Sequence, residues 1–209
     1  MKILTMQVGS GGTNCYIAYD EKSLKGFIVD PGDDAIAIMA EIGNRNIEVE
    51  GIFVTHGHYD HIAAVNRLRD SLEVPSYCSE LDAEVCASDH LNCSVAGARK
   101  SIVCVIDKYL SDGEVVDFGW VKITALLLPG HTHGQMAYYI PEHGVVFTGD
   151  NLFKDAYGRY DLPTANFEQL KASLNRLFTL PADTQALPGH GRSTTIGHEA
   201  KNNPILRKH

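Results

Sequence analysis

The segment THGHYDHI, residues 55–62, places three histidines and one aspartate directly after the apolar run GIFV. Side chains of a strand alternate with a period of two, so a His-x-His pair at a strand end projects His56 and His58 to the same side. Asp60 and His61 follow where the chain turns into a helical pattern, and they can face a second position nearby. Because imidazole and carboxylate groups bind divalent metals, this one turn could serve two ions.

Further potential ligands follow three other strand-like runs. A metal ion needs three or four ligands, and two adjacent ions share a bridging group, so the remaining ligands must come from elsewhere in the chain. LLLPGHTHGQ, VVFTGDNLF and QALPGHG contribute His131 or His133, Asp150 and His190. Burying this many polar side chains without an ion would leave several of them unpaired. The pattern therefore predicts a two-metal site at one edge of the sheets.

The elements that must position these residues are predicted from periodicity. Apolar or alternating runs between turn signals predict strands at KILTMQV, TNCYIAY, KGFIVD, EGIFVT, VKITALLLP, QMAYYI, GVVFTG and TQALPG. Helical periodicity predicts helices over 33–45, 61–72, 80–90 and 166–178. We interpret residues 73–113, which are polar and irregular, as a cap or edge rather than as core. Residues 1–209 are predicted to form a single α/β domain of two packed sheets with outer helices.

Length and composition are those of an ordinary globular protein. The 209 residues can bury a core of normal size, and 44% hydrophobic with 21% charged residues is typical of this class. No apolar stretch approaches the roughly 20 residues that a membrane helix requires, so we expect no membrane association. The formal net charge of −8 would repel a phosphate backbone, which argues against a nucleic-acid partner.

The cysteines and the N-terminus predict a cytoplasmic protein. The five cysteines form no CxxC pair, and their odd number fits free thiols in a reducing compartment better than a disulfide framework. The N-terminal segment MKILTMQVGSGG has one lysine and only a short apolar patch. It therefore does not resemble a secretion signal.

The motifs THGHYDH, PGHTHG, FTGD and LPGHG, in this order and spacing, resemble those of the metallo-β-lactamase superfamily over nearly the whole chain. GRYDLPTAN (158–166) and LPGHGRSTTIGHEAKNNP (187–204) are similar to the small hydroxyacylglutathione-hydrolase-like branch, the glyoxalase II relatives. The resemblance implies an α/β fold, the αββα sandwich of two mixed β-sheets with outer helices. This expectation agrees with the predicted elements.

The resemblance also implies a set of seven metal ligands. They are His56, His58 and His131 on the first ion, Asp60, His61 and His190 on the second, and Asp150 as the bridge. His131 is preferred to His133 because it directly follows Pro-Gly, as the family's ligand does. Asp60 and Asp150 are the predicted catalytic residues. The expected cofactors are two divalent metal ions, for which histidine and aspartate suit zinc, with iron and manganese as alternatives.

Three other features have two interpretations each. The Asp30 carboxylate in VDPG could accept a hydrogen bond from a ligand imidazole or could only form a turn. Arg159 could orient a substrate or anchor its loop through Asp161. Arg207 and Lys208 could meet a glutathione carboxylate, although a frayed tail is the interpretation that we prefer.

The predicted chemistry is hydrolysis of an activated acyl group. Two metals about 3.5–4 Å apart lower the pKa of a bound water toward about 7 and polarise a carbonyl. Metal-bound hydroxide would attack a small-molecule thioester such as a 2-hydroxyacylglutathione, and Asp60 could accept the proton. The leaving thiolate would depart on the second-metal side. Only residues 191–209 follow His190, so the C-terminal helical extension with which typical glyoxalase II enzymes hold glutathione is expected to be missing.

Four alternative functions compete with this one. A lactonase or other ester hydrolase would use the same site, aided by Tyr157 or Tyr160. An iron-dependent persulfide dioxygenase would use one ion, which the second set of ligands argues against. A non-catalytic metal-stabilised domain would lack an open coordination position. Antibiotic hydrolysis is disfavoured, because Asp150 stands where the commonest true β-lactamases of the superfamily have cysteine.

Overall fold

A computed structural model describes residues 1–206, and the tail residues Arg207 and Lys208 lie outside this range. Its first sheet has the strand order β1-β2-β3-β4-β5-β6. These strands are β1 Lys2–Val8, β2 Thr13–Tyr19, β3 Lys25–Val29, β4 Glu48–Phe53, β5 Ser76–Cys78 and β6 Lys108–Tyr109. Strands β1 to β3 are antiparallel, and β3 to β6 are parallel, so the sheet is mixed.

The second sheet is also mixed and has the order β14-β13-β10-β9-β8-β7. Its strands are β7 Val115–Asp117, β8 Lys122–Leu127, β9 Met136–Ile140, β10 Val145–Gly149, β13 Gln185–Pro188 and β14 Thr194–Thr195. Strands β10 and β13 are parallel, and the other neighbours are antiparallel. A separate hairpin pairs β11, Leu152–Phe153, with β12, Ala156–Tyr157.

Seven α-helices complete the part of the chain that the structure describes. They are α1 Ala35–Arg45, α2 Tyr59–Ile62, α3 Val65–Leu72, α4 Glu80–Ala87, α5 Ser94–Gly97, α6 Phe167–Leu177 and α7 Ile196–Asn202, with 3₁₀ turns at Pro141–His143 and Pro204–Leu206. None of the helices within residues 1–206 is long and apolar enough to cross a membrane.

The apolar core has three layers, as an αββα sandwich requires. Aromatic side chains such as Phe27, Phe53 and Phe147 fill the space between the two sheets. Ile38 of α1 belongs to the layer behind the first sheet, and Leu170 of α6 to the layer behind the second. The predicted fold class, two mixed sheets with outer helices, is confirmed.

The eight predicted strands all occur, whereas two expectations about the helical regions were wrong. The helix predicted over 61–72 is divided into α2 and α3, because the Ala64 N–H donates to the Pro31 carbonyl (3.0 Å) instead of to its own helix. Residues 73–113 are not only a cap or edge. Although β6 is an edge strand, Cys78 and Val85 are completely buried, because β5 pairs with β4 and brings α4 against the sheet.

The sheet topology collects several strand ends at one edge of the sandwich. Strands β3 and β4 are parallel, and β8, β10 and β13 share one direction because β9 is antiparallel to both β8 and β10. The two sheets are joined at this edge, where the Met136 N–H donates to the Thr55 carbonyl and the Asn14 N–H to the Gly189 carbonyl, both at 2.7 Å. The loops after parallel strands are a preferred location for functional sites.

Candidate metal centre

The seven side chains predicted as ligands lie together at this edge. Three overlapping sets have donor atoms within 4.8 Å of one another: His56, His58 and His131; His56, His61 and Asp150; and Asp60, His61 and His190. Asp150 lies between the outer sets, with Oδ1 3.5 Å from His61 Nε2 and Oδ2 3.7 Å from His131 Nε2. The structure therefore brings together every residue predicted for the two ions, while metal binding by them stays a prediction.

Hydrogen bonds set the proton positions of two histidines. The His131 Nδ1 lies 2.9 Å from the carbonyl oxygen of Arg159, and a carbonyl can only accept. The His61 Nδ1 lies 3.0 Å from Asp30 Oδ2, where a carboxylate likewise accepts. Both rings therefore carry a proton on Nδ1, which leaves Nε2 as the nitrogen that each ring can offer to an ion in place of a proton or of the 2.9 Å contact between His131 Nε2 and His58 Nδ1.

A chain of hydrogen bonds through Thr55 sets the proton position of His56 in the same way. The Thr55 hydroxyl donates to Asp30 Oδ2 (2.7 Å), and the Thr55 N–H donates to Asp30 Oδ1 (2.7 Å). Since the hydroxyl proton is used, Thr55 Oγ1 accepts from His56 Nδ1 at 3.1 Å, which leaves His56 Nε2 as the lone-pair atom. Asp30 thus orients two histidines, and this favours the first of its two predicted roles.

Unpartnered atoms indicate whether these residues fit a metal. Seven buried side-chain atoms within residues 1–206 have no hydrogen-bond partner, and four of them belong to this cluster: His56 Nε2, His58 Nε2, His61 Nε2 and Asp150 Oδ1. Leaving such atoms unsatisfied costs about 1–3 kcal/mol each. A concentration of unpartnered imidazole nitrogens beside an unpartnered carboxylate oxygen fits divalent cations, which bind both kinds of donor.

Burial shapes the electrostatics of the first set. Burial lowers the pKa of His56 well below its usual value, and the neighbouring His61 and His58 lower it further. Burial, followed by the charge of His131, lowers the pKa of His58 to about 3. Both imidazoles are therefore neutral at physiological pH, the form that binds a metal.

The second set contains the charged partners. Burial disfavours a proton on His61, but Asp150, Asp60 and Asp30 outweigh it and raise the pKa of His61 well above its usual value. Burial would raise the pKa values of Asp60 and Asp150, and the nearby histidines, His61 first, lower both instead. The pKa of His190 is raised against burial by its contact with Asp60.

The His190 loop is held by the start of β2. The Asn14 side-chain amide donates to the carbonyls of Pro188 and Gly191, both at 3.0 Å. The Tyr16 hydroxyl donates to the Pro188 carbonyl at 2.6 Å. Sequence analysis did not assign these contacts, because the motif TNCY carries no visible link to a segment so distant in the chain.

A buried carboxylate was also missed. Asp82 accepts hydrogen bonds from the Gly57 N–H (2.8 Å), the Thr132 hydroxyl (2.7 Å) and the Gly134 N–H (2.8 Å). Burial raises the pKa of Asp82, and these three donors oppose the shift. Its position in a helical pattern of the region predicted as a cap carried no signal of this role.

A cavity of about 700 Å³ opens onto the cluster. The His/Asp cluster forms one side of it. The remaining lining is largely apolar and includes Tyr59, Cys93, Gly97, Phe153 and Leu162. Ligand sites typically combine such apolar walls with a few convergent polar groups, so a small molecule with an apolar part fits here.

Other predicted site residues have structural contacts. Arg159 lines the cavity, yet its guanidinium makes two hydrogen bonds to Asp161, at 2.9 and 3.1 Å, which favours the loop anchor. His133 lies outside the cluster, with Nε2 2.9 Å from the Leu81 carbonyl oxygen. Tyr157 and Tyr160 stack on each other at 6.4 Å, and neither is among the described residues that line the cavity.

Sequence comparison identifies relatives over the full length. The family model of the metallo-beta-lactamase superfamily matches residues 8–190. The probable metallo-hydrolase M6_Spy0554 of Streptococcus pyogenes is 34% identical over 212 residues, which cover 99% of this chain and 90% of the relative. The hydroxyacylglutathione hydrolase GloC of Haemophilus influenzae is 31% identical over 209 residues, covering 99% and 98%.

Solved structures agree with this assignment. The BLEG-1 B3 metallo-beta-lactamase has a TM-score of 0.94 at 31% identity, covering 99% of this chain and 100% of that one. TTHA1623 in a di-iron-bound form has a TM-score of 0.87 at 36% identity, covering 97% and 100%. ETHE1 from Myxococcus xanthus has a TM-score of 0.79 at 28% identity, covering 98% and 84%. With its fold, its motifs and these relatives, the chain belongs to the metallo-beta-lactamase superfamily.

Proposed function

We propose that this protein is a binuclear metal-dependent hydrolase that cleaves a thioester, with a 2-hydroxyacylglutathione as the substrate to test first. The observation that carries the proposal is the cluster of seven histidine and aspartate side chains, with its unpartnered atoms, at one side of the cavity. Likeness to GloC, whose name states this activity, supports the choice of substrate.

Two divalent ions would be held by the same seven residues. The first set is His56, His58 and His131, the second is Asp60, His61 and His190, and Asp150 lies between them. We propose zinc, which suits nitrogen and oxygen ligands, with iron as the alternative that the di-iron-bound TTHA1623 supports. When bound, such ions lower the pKa of water and polarise a scissile carbonyl.

Residues of the chain itself would accept a proton, orient the histidine rings and line the cavity. Asp60 is held ionised by its neighbours, and its side chain is 26% exposed, so its carboxylate can accept a proton in the cavity. Asp30 holds the His61 ring, and the Arg159 carbonyl holds the His131 ring. Phe153 and Leu162 contribute apolar wall to the cavity beside the cluster.

The test is hydrolysis of S-D-lactoylglutathione by purified protein whose metal content has been measured. We expect kcat/KM of about 10⁴ M⁻¹s⁻¹ or more, within the ordinary enzyme range, and its loss in Asp150→Ala. Asp155→Ala is the matched control, because Asp155 bonds His198 on the surface and should leave the rate unchanged. A fully loaded protein with negligible turnover would reject this substrate, and a protein that binds no ion would reject the function.

β-Lactam hydrolysis is a second candidate, because the structure resembles BLEG-1 over nearly its full length. Against it stands the argument from Asp150, which remains a prediction. Parallel assays with a chromogenic cephalosporin and an acyl lactone distinguish these substrates from thioesters. Oxygen consumption with one equivalent of iron would instead favour the persulfide dioxygenase.

A further inference from the structure

Asp82 is a buried carboxylate that the proposed chemistry does not use. It is fully buried, and no ion pair to it is found among residues 1–206. Instead, both carboxylate oxygens accept hydrogen bonds from neutral donors: Oδ2 from the Gly57 N–H and the Thr132 hydroxyl, and Oδ1 from the Gly134 N–H. A buried charge is costly unless it is well solvated by such bonds, so its retention needs a reason.

The three donors belong to the two turns that carry the first metal-ligand set. Gly57 separates His56 from His58, and Thr132 directly follows His131. These turns lie more than 70 residues apart in the chain, yet His58 Nδ1 is 2.9 Å from His131 Nε2. The carboxylate of Asp82 is therefore a bridge between two backbone segments whose relative position sets the spacing of three histidines.

Packing leaves little freedom around this bridge. A Cβ atom at Gly57 would lie 2.7 Å from the Cys86 backbone nitrogen, and one at Gly134 would lie 2.5 Å from the Asp82 nitrogen. Ser79 caps α4 by accepting from the Asp82 N–H at 3.0 Å, and its hydroxyl donates to the Gly134 carbonyl at 2.5 Å. The first turn of α4 thus packs directly against both loops that carry the first set of histidines.

We propose that Asp82 is a positioning residue that holds His56, His58 and His131 in the geometry needed for the first ion. The inference rests on the proposed metal centre. Replacement by asparagine would leave one acceptor oxygen and introduce an NH₂ donor, so at least one of the three donors would face another donor. The two turns would then shift relative to each other, and the affinity for the first ion would fall.

The second set is expected to be insensitive to this change. His61 is held by Asp30, and the His190 loop by Asn14, so neither depends on Asp82. A purely structural role would lower the stability of the whole protein without favouring one ion over the other. Selective loss of one ion is therefore the signature of positioning.

The experiment is titration of metal-free protein with Co²⁺, followed by visible absorption and by competition with a chelator. Wild-type protein should bind two equivalents. Asp82→Asn should weaken one equivalent by about 10–100-fold, the usual effect of removing a partner that orients metal ligands, and leave the other within about twofold. In the His190→Ala background, where the first set alone is complete, the same substitution should weaken the remaining Co²⁺.

Glu199→Gln is the matched control. Glu199 is also a fully buried carboxylate with three donors, the Thr194 hydroxyl, the Asp155 N–H and the Asn203 amide. The histidine beside it is His198, whose Nε2 lies 3.8 Å from Glu199 Oε1 and which is not one of the seven predicted ligands. It should lose stability and keep both Co²⁺ affinities. Equal weakening of the first ion by both substitutions, or unchanged binding in Asp82→Asn, would overturn the proposal.

A second variant and the wild-type titration complete the test. If Asp82→Asn does not fold, Thr132→Val removes a single donor and should weaken the first Co²⁺ less strongly. Unchanged Co²⁺ affinity in Thr132→Val would then overturn the proposal. A wild-type protein that binds no Co²⁺ would overturn the metal centre and the proposed function with it, whereas normal wild-type binding with unaffected variants would overturn only the role of Asp82.

Discussion

At the scale of single residues, the histidines depend on partners that hold their rings in one orientation. The Nδ1 protons of His61 and His131 are committed to Asp30 and to the Arg159 carbonyl. Each ring therefore presents Nε2 to the centre of the cluster. The sequence predicted this role as one of two for Asp30, whereas the Arg159 contact had no signal in the sequence, since a backbone carbonyl can orient a ring as well as a side chain can.

Thr164 combines two unfavourable features. Its φ is +66°, in the left-handed region that a β-branched residue rarely adopts, and its buried hydroxyl has no partner. The left-handed conformation costs an L-residue about 1–2 kcal/mol. We expect Thr164→Gly to raise the free energy of unfolding by about 1 kcal/mol, after the entropy cost of glycine, as measured by urea denaturation.

Asn46→Gly is the control for this prediction. Asn46 has a similar φ of +54° at the end of α1, but asparagine tolerates this region. Its replacement should change the stability by less than about 0.5 kcal/mol. A Thr164→Gly variant no more stable than the wild type would show that the strain at this position is smaller than the conformation implies.

At the scale of elements, α2 and α5 together form one wall of the cavity. Tyr59 lies in α2 and Gly97 in α5, and both line the cavity. A Cβ atom at Gly97 would lie 2.6 Å from Tyr59 Cε1 and 2.7 Å from the Tyr59 hydroxyl oxygen. The absence of a side chain at position 97 therefore sets how closely the two elements approach.

Gly97→Ala should alter substrate binding without altering metal binding. The added methyl group must displace the Tyr59 ring or α5, and overpacking of this kind costs about 1–3 kcal/mol. We expect kcat/KM for the active thioester to fall about tenfold, corresponding to ~1.4 kcal/mol, mainly through KM. The number of bound ions should stay unchanged, which metal analysis of the same preparation checks.

Gly43→Ala provides the comparison within a helix. No atom lies within 4 Å of a Cβ built at Gly43 in α1, so alanine should raise the stability by about 0.5–1 kcal/mol and leave kcat/KM unchanged. Equal activity of both alanine variants would argue that the wall formed by α2 and α5 does not contact the substrate.

At the scale of the whole molecule, the cluster of seven histidine and aspartate side chains lies where the two sheets join, so its ionisation affects the stability of the protein. In metal-free protein, His61 and His190 have raised pKa values, and His56 and His58 have lowered ones. A histidine whose pKa is raised by folding stabilises the folded protein at low pH. This contribution is lost as the pH rises from the unfolded-state pKa of 6.5 through the folded-state pKa. A histidine whose pKa is lowered by folding destabilises the folded protein as the pH falls below the unfolded-state pKa of 6.5.

The stability of the chelated protein should therefore be greatest near pH 6.5, as far as these four histidines determine it. Urea denaturation at intervals between about pH 5 and pH 9 measures this profile. In the loaded protein, ions occupy the positions of the His61 and His190 protons, so the decline above pH 6.5 should disappear. Stability of the chelated form that keeps rising above this pH would contradict the prediction.

Much of this molecule was predictable from the sequence because the relevant signals are local. Alternating or continuous apolar runs predicted the eight main strands, since strand periodicity does not depend on distant residues. The spacing of His56, His58, Asp60 and His61 predicted a metal-binding turn for the same reason. The resemblance to the superfamily supplied the remaining predicted ligands and the αββα arrangement.

Only the tertiary structure decided which distant segments meet. Packing of the two sheets against each other brings the turns of His58 and His131 together, and Asp82 bridges them from a helix whose sequence had suggested a cap. The division between α2 and α3 follows from a hydrogen bond to Pro31. These features arise from contacts between residues far apart in the chain, and a local sequence pattern contains no information about such contacts. The strands and the ligand motif, in contrast, could be predicted from residues that are neighbours in the sequence.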